Sequence, residues 1–214
     1  RHCSRFSTDS VSAWRIGSAW ISICPRPPER GSESMIFKKS TRYALYAFLV
    51  VAGSMLIAIA GQIKVPLWPN PTPVTLQTLA IFTIAAAYGR NLAVATLLAY
   101  LAEGAAGLPV FTNGGGVANL FGPTFGYLVG FAVAAGITGW AADRGWSRSP
   151  VKLWTANMAG TLVVLILGAL WMGFLFGSDK IVAWGVGPFI FTDIIKATLA
   201  AALVPALWSL LRRK

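Results

Sequence analysis

The 214-residue sequence predicts an all-α integral membrane protein, a bundle of six transmembrane helices with both termini cytoplasmic. Three observations carry this expectation. Hydrophobic residues make up 56% of the chain and charged residues only 12%, against roughly 25% charged in a soluble domain that must wet its surface. Six apolar stretches follow one another, each bounded by charge, Pro or Gly. Basic residues fall on alternate sides of those stretches in a strongly unequal way.

Residues 1–34 differ from the rest. They are rich in Ser, Arg and Pro, include Pro25-Arg26-Pro27-Pro28, and show no apolar period. This segment is expected to be a disordered, non-native leader, with Met35 as the natural start and 35–214 as the six-helix membrane domain. It is not a signal peptide, because Arg15 interrupts the best apolar core and Ile21 to Cys24 is too short.

The six stretches are Tyr43 to Gln62, Val74 to Tyr88, Asn91 to Val110, Phe121 to Ala141, Leu153 to Phe176 and Pro188 to Leu211. A bilayer core about 30 Å thick takes ~20 helical residues, so the second stretch must borrow from the Pro-rich segment before it. With both termini inside, Lys38, Lys39, Arg42, Arg90, Arg144, Arg148, Lys152, Arg212, Arg213 and Lys214 lie in the cytoplasm, and only Lys64 and Lys180 lie outside. Retention of Lys and Arg on the cytoplasmic side favours that orientation, and an odd number of spans would separate the Arg144 and Arg212 clusters.

Small residues mark the packing faces. Gly122, Gly126, Gly130 and Ala134 recur every four residues in the fourth stretch, and Ala156 and Gly160 do so in the fifth. Such stripes let helix backbones approach closely, either within the bundle or against a partner subunit. The tryptophans near predicted interfaces, Trp68, Trp140, Trp146, Trp154, Trp184 and Trp208, read as belt anchors, with Trp68 and Trp184 as alternatives for ligand stacking.

Polar residues inside the apolar body fall mainly in its outer half: Thr75, Gln77, Glu103, Asn113, Asn119, Tyr127, Asp193 and Lys196, with Asn157 deeper. A channel would distribute them through the whole thickness, so the pattern reads as a pocket open to the outside. Asp193 and Lys196, three residues apart, share a helical face and form either a structural ion pair or a polar anchor for a solute in an apolar pocket. Glu103 is equally a structural partner or a ligand contact. The Asn113-Gly114-Gly115-Gly116 run would let backbone amides approach a ligand, and Pro66, Pro69, Pro71 and Pro73 would stiffen a lid above it.

Several functions are excluded. The single histidine, His2, and both cysteines, Cys3 and Cys24, precede the apolar body, which leaves it without a Cys/His metal site or a His-dependent triad. No lysine follows a glycine, so the phosphate loop of P-loop ATPases is absent. The excess of 18 basic over 7 acidic residues lies between apolar runs and does not form the solvated basic face of a nucleic-acid binder. No enzyme activity and no cofactor are expected, and uphill transport would draw on a coupled ion or a partner.

Three segments then fix a resemblance: Pro66 through Pro73-Val74-Thr75-Leu76-Gln77, the Gly104 to Phe111 segment ending Gly-Leu-Pro-Val-Phe, and Gly122-Pro123-Thr124-Phe125-Gly126-Tyr127-Leu128. Together they resemble the BioY biotin transporters, substrate-binding S components of energy-coupling-factor (ECF) transporters, over Met35 to Lys214. The resemblance implies a plasma-membrane subunit that captures biotin in an outward-facing pocket. It further implies release inward in concert with a transmembrane T component and two cytosolic ABC-type ATPases. The family's Asp-x-x-Lys signature falls on Asp193 and Lys196, with Gln77, Asn113, Tyr127 and Glu103 as further substrate-binding candidates. The alternatives are an S component for another vitamin and a membrane scaffold without a small ligand. The glycine loop here carries no basic residue and therefore offers no side-chain cation to a carboxylate.

Overall fold

A computed structural model describes residues 31–68, 70–179 and 181–212, with side chains placed from residue 42 onward apart from a few positions. Residues 1–30 of the expected leader lie outside the described residues. The chain forms two units, Arg1–Thr41 and Arg42–Lys214. The first ends in the opening turns of helix α1 (Gly31–Gln62), so the last four residues of the segment expected to be disordered are helical. The packing below concerns the second unit.

Within α1, the apolar part Arg42–Gln62 buries a narrow stripe, Gly53, Ser54, Ile57, Ala60 and Gly61, and leaves Tyr43, Phe48, Met55 and Ile59 exposed. Large exposed apolar side chains on a spanning-length helix are what a lipid-facing surface requires. The chain then folds back through a short antiparallel ladder, β1 (Lys64–Val65) on β2 (Val74–Thr75), with Lys64 opposite Thr75. The Pro-rich segment between them, expected to be extended, is closed into a loop. Asn70 shapes it by accepting a hydrogen bond from the Thr72 amide at 2.9 Å, and its Nδ2 donates to the Trp184 carbonyl at 2.8 Å.

Helix α2 (Gln77–Tyr88) has 12 residues and packs against α3, α5 and α7. Apolar nearly all round, it occupies the middle of the bundle, with Ile81, Phe82, Ile84, Ala85 and Ala86 buried on successive faces. Gly89, at φ +77°, turns the chain sharply into α3 (Arg90–Ala105). The Asp143 carboxylate fills the space that a side chain at Gly89 would occupy and accepts a hydrogen bond from the Arg90 amide at 3.1 Å. A negative charge is well placed at that helix start.

The third stretch was expected to stay helical to Val110, but α3 ends at Ala105, where Gly107 takes φ +100°. Residues 106–116 fold back instead. The Gly116 amide donates to the Gly104 carbonyl at 2.7 Å, and the Phe111 ring lies against Gly104 and edge-on to Tyr100 at 5.5 Å. After a single turn, α4 (Val117–Leu120), come the long helices α5 (Phe125–Asp143), α6 (Pro150–Phe176) and α7 (Gly187–Arg212), the last preceded by a π-helical turn, Ile181–Val186.

Helices α5 and α6 form the most extensive helix pair. A Cβ at Gly126 would overlap the Leu167 carbonyl oxygen, one at Gly130 would lie 2.8 Å from the Val164 Cα, and one at Gly160 would lie 3.2 Å from the Ala134 Cβ. The small-residue stripe is therefore consumed inside the bundle.

Each of the six apolar stretches yields one main helix, but among the described residues only four are long and apolar enough to cross a membrane: Arg42–Gln62, Phe125–Asp143, Pro150–Phe176 and Trp184–Leu210. With 12 and 16 residues, α2 and α3 rise only about 18 and 24 Å. Strand β2 before Gln77 and the turn at Gly107 shorten the second and third stretches beside the cavity. Arg90, Asp143 and Arg144 gather at one end of the bundle, where the Arg144 guanidinium lies 3.7 Å above the Trp140 ring.

Glycine substitutions separate close packing from simple helix propensity. Gly130→Ala should destabilise the protein by about 2 kcal/mol, lowering Tm by roughly 4–8 °C, because the Val164 backbone cannot yield cheaply. Gly136→Ala, whose Cβ meets nothing closer than Val94 Cγ2 at 3.7 Å, should leave Tm unchanged or raise it. Thermal unfolding of the two variants in detergent measures the contrast.

Candidate ligand-binding site

Helices α2, α3, α5, α6 and α7 surround one cavity, roofed by the Thr72–Pro73 end of the Pro-rich loop and by Phe111 and Thr112 of the segment after α3. Its wall is apolar over Leu128, Phe131, Val164 and Phe189, and polar at two clusters.

The first cluster centres on Gln77. Gly61 of α1 leaves room for its amide, since a Cβ there would lie 2.9 Å from Nε2. Gln77 Nε2 donates to Tyr100 Oη at 2.7 Å, and Tyr100 in turn donates to the Val110 carbonyl at 3.2 Å. On its other side, Gln77 Oε1 accepts from Thr75 Oγ1 at 3.3 Å and Thr112 Oγ1 at 3.4 Å. This network ties the roof to α2 and α3.

The second cluster is the α7 pair. Lys196 Nζ lies 2.8 Å from Asp193 Oδ1, with side-chain exposures of 7% and 5%, and Thr78 Oγ1 donates to the same oxygen at 3.3 Å. Two opposite charges this well buried persist only when each compensates the other. An ammonium has three donors and a carboxylate about four acceptor positions, so both groups keep capacity for a ligand at the wall. Gln77 and Thr78, adjacent on α2, serve the two clusters in turn because successive helical residues point about 100° apart.

Tyr127 stands beside this pair on the cavity wall. Its hydroxyl donates to the Gly185 carbonyl in the π-helical turn at 2.7 Å, and its ring packs on Phe189 at 5.2 Å and fills the space above Gly168. A Cβ at Gly168 would overlap that ring.

Of the residues singled out in the sequence, Asp193, Lys196, Gln77 and Tyr127 thus come together on one wall. Glu103 and Asn113 do not. Glu103 turns toward α1, where its Oε1 accepts from the buried Ser54 hydroxyl at 2.9 Å, and Asn113 is exposed on the loop. Trp68 is 95% exposed, and Trp184 packs edge-on to Phe176 at 5.6 Å, so neither ring lines the cavity. Thr72, Thr78, Tyr100 and Thr112 join the wall without having been singled out. The available signal was the all-round apolarity of α2, which implies that both Gln77 and Thr78 are interior.

The cavity has about 40 Å³ of free volume, room for a few water molecules, whereas pockets for organic ligands measure about 300–1,000 Å³. A vitamin-sized ligand needs a wider cavity than this one. Among the described residues no group of His, Cys, Asp and Glu is arranged to hold a metal ion.

The chain matches the profile of the BioY family over residues 35–213. It is 36% identical over 171 residues to the biotin transporter BioY2 of Lactococcus lactis subsp. cremoris, covering 76% of this chain and 92% of that relative. It is 34% identical to the biotin transporter BioY of Thermotoga maritima, with 72% of this chain and 92% of the relative covered. Among solved structures it is similar to the S-component for biotin from an ECF-type ABC transporter, with a TM-score of 0.67, 25% identity, and coverage of 80% of this chain and 93% of that one. With the family profile spanning nearly all of the described helices, the chain belongs to the BioY family.

Proposed function

We propose that this multi-pass membrane protein is the biotin-binding S component of an ECF-type transporter. It captures biotin from outside the plasma membrane and passes it inward together with a transmembrane T component and two cytosolic ABC-type ATPases. The observation that carries the reading is the buried Asp193–Lys196 pair on the wall of an otherwise apolar cavity. Biotin has an apolar thioether ring and alkyl chain, a ureido group with two N–H donors and one carbonyl acceptor, and a terminal carboxylate. In this reading Asp193 accepts from a ureido N–H, Lys196 donates to an oxygen of the ligand, and Phe131 and Phe189 take the apolar body. Gln77 and Tyr127 complete the polar contacts, with Asn113 reaching the ligand from the loop and Glu103 from α3 after releasing Ser54.

All six long helices are proposed to cross the bilayer, with both termini cytoplasmic. The loops beside α2 and α3 make up their missing length, which is tolerable because non-helical backbone at membrane depth is stable where it lines a protein cavity. In this orientation the end carrying Arg90, Arg144 and Arg148 faces the cytoplasm.

Isothermal titration of the detergent-purified chain with biotin, riboflavin and thiamine tests the proposal. Saturable binding of biotin alone is expected, and folded protein that binds none of the three overturns it.

Replacing the charged pair separates its two roles. Lys196→Ala should weaken biotin binding more than tenfold, and by leaving Asp193 unpaired it should also cost about 3–5 kcal/mol of stability. In the double variant Asp193→Asn with Lys196→Met no charge is left uncompensated, so Tm should return to within about 5 °C of the parent while binding stays lost. Undiminished biotin affinity in the double variant would show the pair to be structural only.

A further inference from the structure

The ligand proposed above ends in a carboxylate, and that group needs a cation or strong donors when it leaves water. The charged pair on the cavity wall is a poor partner for it. Lys196 already lies 2.8 Å from Asp193 Oδ1, so the pair is neutral as a unit, and a second carboxylate there would leave one negative charge uncompensated. The glycine run 113–116 contains no basic residue.

One other cation is held at the rim. The β1–β2 ladder sets Lys64 opposite Thr75, a residue of the cavity wall. From there the Lys64 ammonium reaches across and donates to the Thr112 carbonyl at 2.6 Å, and Thr112 also lines the cavity. Gln62, two residues earlier, donates to the Pro109 and Phe111 carbonyls at 3.3 and 3.5 Å. The end of α1 and β1 thus grip the segment that roofs the cavity. Lys64 is exposed and uses one of its three donors on Thr112, so its charge sits beside a residue of the cavity wall with donors to spare.

We infer that Lys64 is the residue that recognises the acid end of the ligand. As the roof opens, its ammonium exchanges the neutral Thr112 carbonyl for the ligand carboxylate. An ion pair with a carboxylate replaces a bond from the same ammonium to a neutral carbonyl, so the cation that fastens the empty roof then fastens the ligand. The site would thereby select an organic acid over its uncharged analogue, with the ring end read at Asp193 and Lys196 and the acid end read at the rim. The inference rests on the biotin-binding reading.

The test titrates the full chain and its Lys64→Met and Lys64→Arg variants with biotin and with biotin methyl ester, which keeps the ring and chain but lacks the charge. Wild-type protein should prefer the acid by about tenfold, Lys64→Met should lose that preference while binding the ester as the parent does, and Lys64→Arg should retain it. Ester binding by Lys64→Met serves as its folding control. Unchanged affinity of Lys64→Met for biotin overturns the inference and leaves the proposed function standing. An equal loss for acid and ester assigns Lys64 to the roof alone and also overturns it. Failure of the wild-type protein to bind either ligand overturns the proposed function itself.

Discussion

An ammonium and a carboxylate 2.8 Å apart in the interior of an apolar bundle set the conditions for the rest of this structure. Removing either charge from water is expensive, and the contact repays that cost only with good geometry and further hydrogen bonds. The i,i+3 spacing on α7 supplies the geometry, and Thr78 of α2 supplies the additional donor. Helix α2 must therefore lie in the middle of the bundle, against α7, with polar residues at its first turn and apolar ones on every side beyond it. The glycine-mediated approach of α5 to α6 and the seating of Tyr127 on Gly168 close the remaining sides.

The same constraint explains why two of the six helices are short. A polar cluster inside an apolar bundle needs donors and acceptors from more than one direction, and a regular helix offers none of its backbone groups. Breaking the third stretch after Ala105 releases the carbonyls of Val110 and Thr112, which are taken up by Tyr100 and Lys64. Folding the Pro-rich segment over the top brings Thr72 into the wall and ties Asn70 to the Trp184 carbonyl. Irregular backbone survives inside the bundle because side chains satisfy it. The resulting roof is held by these hydrogen bonds and by the buried Phe111 ring on Gly104 and Tyr100.

Much of the site was legible from residue type alone. Asp193 and Lys196 stood out because ionisable residues inside an apolar stretch are rare, and Gln77 and Tyr127 because they lay in the same half of the predicted span. Glu103 met the same criterion and yet turns to Ser54. Tyr100, three residues earlier on α3, points into the cavity, and three residues advance a helix by about 300°, so the two side chains differ by about 60° in direction. Depth is readable from sequence position, but the azimuth of a side chain depends on how its helix is rotated against its neighbours. Asn113 stands outside the cavity for another reason, since Gly114 and Gly116 near it adopt positive φ and its side chain is exposed.

The sequence by itself determined that this chain is helical and membrane-embedded, where its basic residues concentrate, which residues permit close helix contact, and which charged pair is costly enough to have a purpose. These properties follow from composition, helical period and the price of burying charge, all of which act locally. Tertiary structure decided that α2 is central, that the stretches around it break where they meet the cavity, and that Gln77, Tyr100 and Thr112 form one network. Those outcomes depend on backbone groups and side chains far apart in the chain meeting where no water can satisfy them, and a pattern read along one dimension does not contain that information.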